Sequence, residues 1–218
     1  MKKGFTLVEL IATLIVLSIV ALIVVPNIYD SIVEYREQLY ETQLTAIETS
    51  TKNWVADHID DENFPKNNDE TIFVSLKTLE ENGYIDDDLK NPKNSTTFND
   101  IVFTVVTCKV IDKDDYNAEN YKYTYRVIDT TEKYLQYIAE LWKKDNSIDL
   151  SKVTTSEVLI KELSKDDLIS YIDPNYYEAN TKSIKDIATS ELISNYSAKI
   201  YASKKGEKYI YRYEGITK

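Results

Sequence analysis

The chain has 218 residues, 43% of them hydrophobic and 29% charged, and a net charge of −11. That is enough chain for one large domain or two small ones around a packed core. The acidity excludes nucleic acid as a default partner, because phosphate binding needs clustered Lys and Arg. The single cysteine, Cys108, excludes an intrachain disulfide, so a head outside the cell would have to rest on core packing.

The N-terminus reads Lys2-Lys3-Gly4 and then an apolar run over residues 5–25, which is 21 residues. About 20 apolar residues cross a bilayer as helix. A secretory signal has an apolar core of about 7–15 residues and its small residue after the core. Here the small residue comes first, so cleavage after Gly4 leaves the membrane helix on the mature chain. The two lysines hold the N-terminus on the cytoplasmic side. Glu9 is the only carboxylate in the run. In hydrocarbon it must be paired, protonated or close to the interface. Pro26 removes a backbone donor and crowds the preceding turn, so a kink or local melting is expected there.

Residues 27–59 turn amphipathic, with Ile28, Ile32, Tyr35, Leu39, Ala46, Ile47 and Trp54 near helical spacing. If this stretch continues the membrane helix, residues 5–59 make one helix roughly 80 Å long at 1.5 Å per residue. Its second half would then carry a head. Asp60, Asp61 and Pro65 end the helix. Residues 74–79 read as a short helix closed by Asn82-Gly83, followed by a loop through Asp86-Asp87-Asp88 and Asn91-Pro92. Residues 101–111 read as a strand with Val102, Thr104, Val106, Cys108 and Val110 on one face. Residues 121–128 read as a second strand.

Residues 132–144 read as an amphipathic helix, and Thr154 with Glu157 as a capping box opening a short helix. Residues 196–203 and 208–213 read as a hairpin around Lys204-Lys205-Gly206-Glu207. The two halves can be overlaid. Trp54 matches Trp142 at an offset of 88. Residues 74–79 match 158–163 at 84, and Tyr123, Tyr125 and Arg126 match Tyr209, Tyr211 and Arg212 at 86. Three matches in one order predict a duplicated head. The alternative is one head with an unrelated C-terminal addition.

No catalytic constellation stands out. His58 is the only histidine, so no Ser-His or Cys-His pair is available, and the three glycines after Gly4 make no phosphate loop. His58 reads as a solvated helix end. Asp112, Asp114 and Asp115 lack the glycine and distal glutamate of a calcium loop. The expectation is therefore no enzyme, no metal and no cofactor.

Lys2, Lys3, Gly4, Phe5, Thr6, Leu7, Val8, Glu9 and Leu10, with Pro26 beyond them, resemble the start of a type IV pilin or pseudopilin. The stretch from Leu79 to Ile85 ahead of Asn91-Pro92 also resembles a Gram-positive, clostridial-like pilin head. The resemblance implies an α+β fold: a long spine helix, transmembrane in its first half, bearing an antiparallel-sheet head. It implies cleavage between Gly4 and Phe5, N-methylation of Phe5, and assembly through Glu9 meeting the Phe5 amine of a neighbouring subunit. The organisation expected is a leader at 1–4, a filament-core helix at 5–26, a first module at 27–129 and a second at 130–218. The implied partners are other pilins, a prepilin peptidase, and an assembly platform with its ATPase. The implied location is the cytoplasmic membrane and then an extracellular pilus. A doubled head is bulky, which suggests a minor subunit that offers an acidic second module for adhesion or interaction. The alternatives are a pseudopilin of a type II secretion or DNA-uptake system, and a membrane-anchored surface binding module.

Overall fold

The computed structural model describes residues 6–62, 64–111 and 121–217, with residues 26 and 27 described by backbone alone. Helix α1 spans Leu7–His58, 52 residues. It passes through Pro26 without a break, so no melting occurs there. The kink expected at Pro26 concerns helix direction, not helix content.

The chain divides into two compact units. The first comprises the residues up to Thr45 together with Lys90–Thr96. Its short loop closes on itself through Asn91 N–H donating to the Thr96 carbonyl at 2.7 Å. The loop is also tied to the helix. The Lys93 ammonium lies 3.8 Å over the Tyr40 ring and 3.0 Å from the Glu37 carboxylate. Lys93 therefore sets one ammonium against both an aromatic face and a carboxylate.

The second unit holds the end of α1 and all the sheets. Strand β1 spans Thr71–Ser75 and runs into α2, Leu76–Glu81. The sequence reading of 74–79 as one helix is corrected here. Ser75 both ends the strand and caps the helix, its hydroxyl accepting from Thr78 N–H at 3.1 Å. Strands β2, Phe103–Val110, and β3, Tyr121–Ile128, complete an antiparallel sheet in the order β1-β2-β3. Helix α3 is Thr131–Asp145. Thr130 caps it, Glu132 sits in its first turn and Lys143 and Lys144 in its last, as the helix dipole favours.

Beyond α3 come β4, Val158–Leu163, and α4, Lys165–Leu168. The capping box expected at Thr154 and Glu157 does not form. Those residues lead into a strand, and Glu157 pairs with Arg212 instead. The capping box belongs to Ser164 and Asp167. A small sheet of β5, Tyr177–Glu178, β6, Ser183–Lys185, and β7, Leu192–Ile193, follows. The hairpin β8, Tyr196–Lys205, and β9, Lys208–Thr217, then joins β4 in the order β4-β8-β9. Gly206 makes the hairpin turn at φ 63.

The layers of this unit follow from which faces are apolar. Sheet β1-β2-β3 is covered on both sides, so Phe103, Thr104, Val105 and Val106 are all buried, against the single buried face expected from alternation. On one side Thr51 of α1 meets Thr104. On the other, Tyr134 and Tyr137 of α3 stand edge-on to Phe103 and Phe73, at 5.5 and 6.1 Å. The opposite side of α3 packs on β9 so closely that a Cβ on Gly215 would lie 2.2 Å from the Glu132 carbonyl. Strand β8 is buried at Tyr196, Ala198, Ile200 and Ala202 and half-exposed between them, so the far face of β4-β8-β9 meets water. Charge is unevenly shared. Residues 130–218 hold fourteen acidic and fourteen basic residues, so this segment is neutral, not acidic as expected, and residues 1–129 carry the whole −11.

Candidate functional site

The assembly segment is the start of α1. Every described residue from 6 to 25 is exposed, including Leu7 at 74% and Leu22 at 76%. Among the described residues α1 is the one helix long and apolar enough to cross a membrane by length and composition, with a mean hydropathy of 2.9 in its best window. A helix apolar on all sides and exposed along this length needs lipid or other helices around it.

Glu9 is held at the head of this helix. Its carboxylate accepts from the Thr6 backbone N–H at 2.9 Å and from the Thr6 hydroxyl at 2.8 Å. The Glu9 N–H donates back to the Thr6 hydroxyl at 3.3 Å. This is a reciprocal capping box, with Thr6 as the cap and Glu9 three residues on. Thr6 was legible as a motif residue, but its grip on Glu9 was missed. The Thr-x-x-Glu spacing is the signal that could have found it. Gly4 and Phe5, the expected processing pair, lie outside the described residues.

The other residues singled out in the sequence have structural places. His58 is half-buried. Its ring stacks on Trp54 at 4.2 Å, and Nδ1 lies 2.7 Å from the Trp54 carbonyl. It closes the last turn of α1 instead of ending it in solvent. Cys108 is buried beside Tyr123, and burial pushes its thiol above the ordinary range. Asp112, Asp114 and Asp115 lie outside the described residues.

One groove in the second unit was missed. It has a volume of about 390 Å³ and lies between the α3 side of β1-β2-β3 and the end of α3. Phe73 and Val105 floor it, Arg126 and Glu140 pair at one end, and Asp69, Lys109 and Lys144 meet at the other. Asp69 stands at φ 65, an uncommon conformation for a residue with a side chain. Its hydrogen bond from Lys109 holds its carboxyl below the usual range.

The N-terminal geometry has a counterpart among known families. Residues 1–25 match the family described as the prokaryotic N-terminal methylation motif. The chain thus carries this methylation motif at its N-terminus, as the resemblance to type IV pilins and pseudopilins implies. No curated protein and no solved structure matches the chain.

Proposed function

We propose that this chain is a structural subunit of a type IV pilus, anchored in the membrane as a precursor and assembled through α1. The observation that carries the reading is the exposed apolar helix with Glu9 capped at its head, inside a segment that matches the methylation motif. A prepilin peptidase cuts between Gly4 and Phe5 and the new Phe5 amine is methylated. The amine then serves as the partner for Glu9 of a neighbouring subunit. Other pilins, the assembly platform and its ATPase are the remaining partners. The subunit passes from the cytoplasmic membrane to the cell surface. Its work is assembly and display, with no catalysis.

The head is two modules, 27–129 and 130–218. The support is the repeated order of elements: a helix, then a strand running into a Ser-capped short helix, then a hairpin that pairs with that strand. Both long helices end alike. Asn146 donates its side-chain N–H to the Trp142 carbonyl at 2.8 Å, as His58 meets Trp54, and both pairs are 88 apart in sequence. The bulk of a doubled head favours a minor subunit, sparse along the filament or at its tip and displayed for adhesion.

Mass spectrometry of isolated filaments tests the reading. An N-methylated Phe5 as first residue supports it, and an unprocessed Met1 in wild-type filaments overturns it. Replacing Gly4 with a bulky residue should leave Met1 attached and block assembly. Peptide counting that finds this chain as the dominant filament protein overturns the minor role.

A further inference from the structure

The groove beside α3 is lined by three cations, Lys109, Arg126 and Lys144, against two carboxylates, Asp69 and Glu140. Two of its cations have full partners. Lys109 bridges to Asp69, and Arg126 lies 2.7 Å from Glu140. Lys144 has only Asp69, at 3.9 Å, through the same carboxylate oxygen that Lys109 holds. Lys122 is the direct cross-strand partner of Lys109 on the same face and makes no ion pair among the described residues. Directly opposed like charges weaken a sheet. Lys109 and Lys144 therefore share one carboxylate.

The neighbouring rows of this face are of another kind. Thr71, Thr107 and Thr124 lie side by side across the three strands, and Phe73, Val105 and Arg126 form the next row. Phe73 is 41% exposed, although its neighbours Val105 and Phe103 are buried. An apolar ring surface, a row of hydroxyls and two ammonium groups that share one carboxylate among the described residues thus follow one another over three residue steps. A saccharide ring has an apolar face and hydroxyl edges, and an acidic one adds an anion.

We propose that this groove binds an anionic saccharide, its ring against Phe73, its hydroxyls on Thr107 and Thr124, and its acidic group on Lys144 and Lys109. The volume of about 390 Å³ suits one or two sugar rings. The shared chemistry is a sugar ring bearing a carboxylate, sulfate or phosphate. Duplex DNA is disfavoured, because the rest of residues 1–129 is acidic. The inference rests on the proposed display of the head only for its biological setting.

The test uses the full chain in detergent micelles and ligand-observed NMR. The probes are a uronic-acid disaccharide, a sulfated disaccharide, a phosphorylated sugar, a neutral disaccharide, inorganic sulfate and phosphate, and a short DNA duplex. A charged disaccharide should bind with a Kd on the order of 1 mM, in line with its size. Which acidic probe binds tightest identifies the source of the anion. Lys144→Glu should weaken binding about tenfold by turning attraction into repulsion, and Phe73→Ala should weaken it without changing its salt dependence. Lys144 is half-exposed, so its charge reversal leaves the fold in place; matching thermal melts check this. Several results overturn the proposal. They are no binding of any acidic sugar, equal binding of the neutral disaccharide, equal binding of the bare anions, DNA as the tightest probe, or unchanged affinity in Lys144→Glu. Binding is read on purified protein, so its failure is distinct from failure of the maturation reading, which mass spectrometry decides.

Discussion

The hydroxyl pair between Thr51 and Thr104 joins α1 to β2 inside the core of the second unit. Thr51 Oγ1 lies 2.8 Å from the Ile47 carbonyl and 3.0 Å from Thr104 Oγ1, and both residues are fully buried. The Thr51 hydroxyl is placed to donate to both, so its one proton is shared between the Ile47 carbonyl and Thr104 Oγ1. In the proposed doubled head the counterparts are Ala139 on α3 and Ala198 on β8, both also fully buried. Thr51→Ala should therefore cost about 1–3 kcal/mol, because the Thr104 hydroxyl loses its partner. Adding Thr104→Ala should cost less than its effect alone, and a double-mutant cycle in denaturant on the full chain in detergent measures the coupling. A cycle with no coupling would show the bond to be idle. At the other end of α1, Glu9→Ala should leave membrane insertion intact and lower entry into filaments. Equal incorporation in cells without the native copy would show that the carboxylate is not needed. Glu9 was legible because a lone carboxylate in an apolar run is conspicuous. Lys93 and Asp69 were not, because a lysine over a ring and a residue at positive φ leave no periodic trace.

Among the elements, α3 does the most and was the easiest to find, since its apolar spacing and its Thr130 cap both stand in the sequence. What spacing could not tell was that α3 is packed on two sides. The same limit hid the burial of β2 on both faces. The misassigned segments, 74–79 and 154–157, fail for a shared reason. A strand of five or six residues that runs straight into a short helix has too few positions to fix a period, and only the Ser75 and Ser164 caps mark the change. In the proposed overlay these caps would pair Ser75 and Leu79 with Ser164 and Leu168. The close approach of α3 to β9 leads to a further prediction. Gly215→Ala places a methyl against the Glu132 backbone, which cannot swing away, so it should destabilise the chain by about 1–3 kcal/mol. Chemical denaturation of the full chain checks this. An unchanged midpoint would mean that the helix can shift without cost.

At the scale of the whole molecule, the two large sheets differ in how they end. The α3 side of β1-β2-β3 presents Phe73 opposite Val105. On β4-β8-β9 the pair at the position the proposed repeat makes equivalent is Glu162 opposite Lys199, two opposite charges facing water. The first face invites a helix and the second closes the stack, as a terminal repeat does in repeat proteins. Ending the chain after Asp129 should uncover Phe73, Phe103, Val105 and Ile128 together and drive aggregation. Size-exclusion chromatography in detergent reads this directly, and a monodisperse, folded fragment would show the first module to be self-sufficient.

The link between β3 and α3 is only Asp129 and Thr130, which sets a clock during synthesis. The sheet partners β1, β2 and β3 are all made by residue 128, and the cover for their apolar face is the next helix of 15 residues. At about 5–20 residues per second, that cover arrives within roughly one to three seconds. The second sheet has no such immediacy, because β4 must wait for β8 to be made more than 30 residues later. A chaperone outside the membrane would therefore meet β4 unpaired for longer than it meets any part of the first sheet.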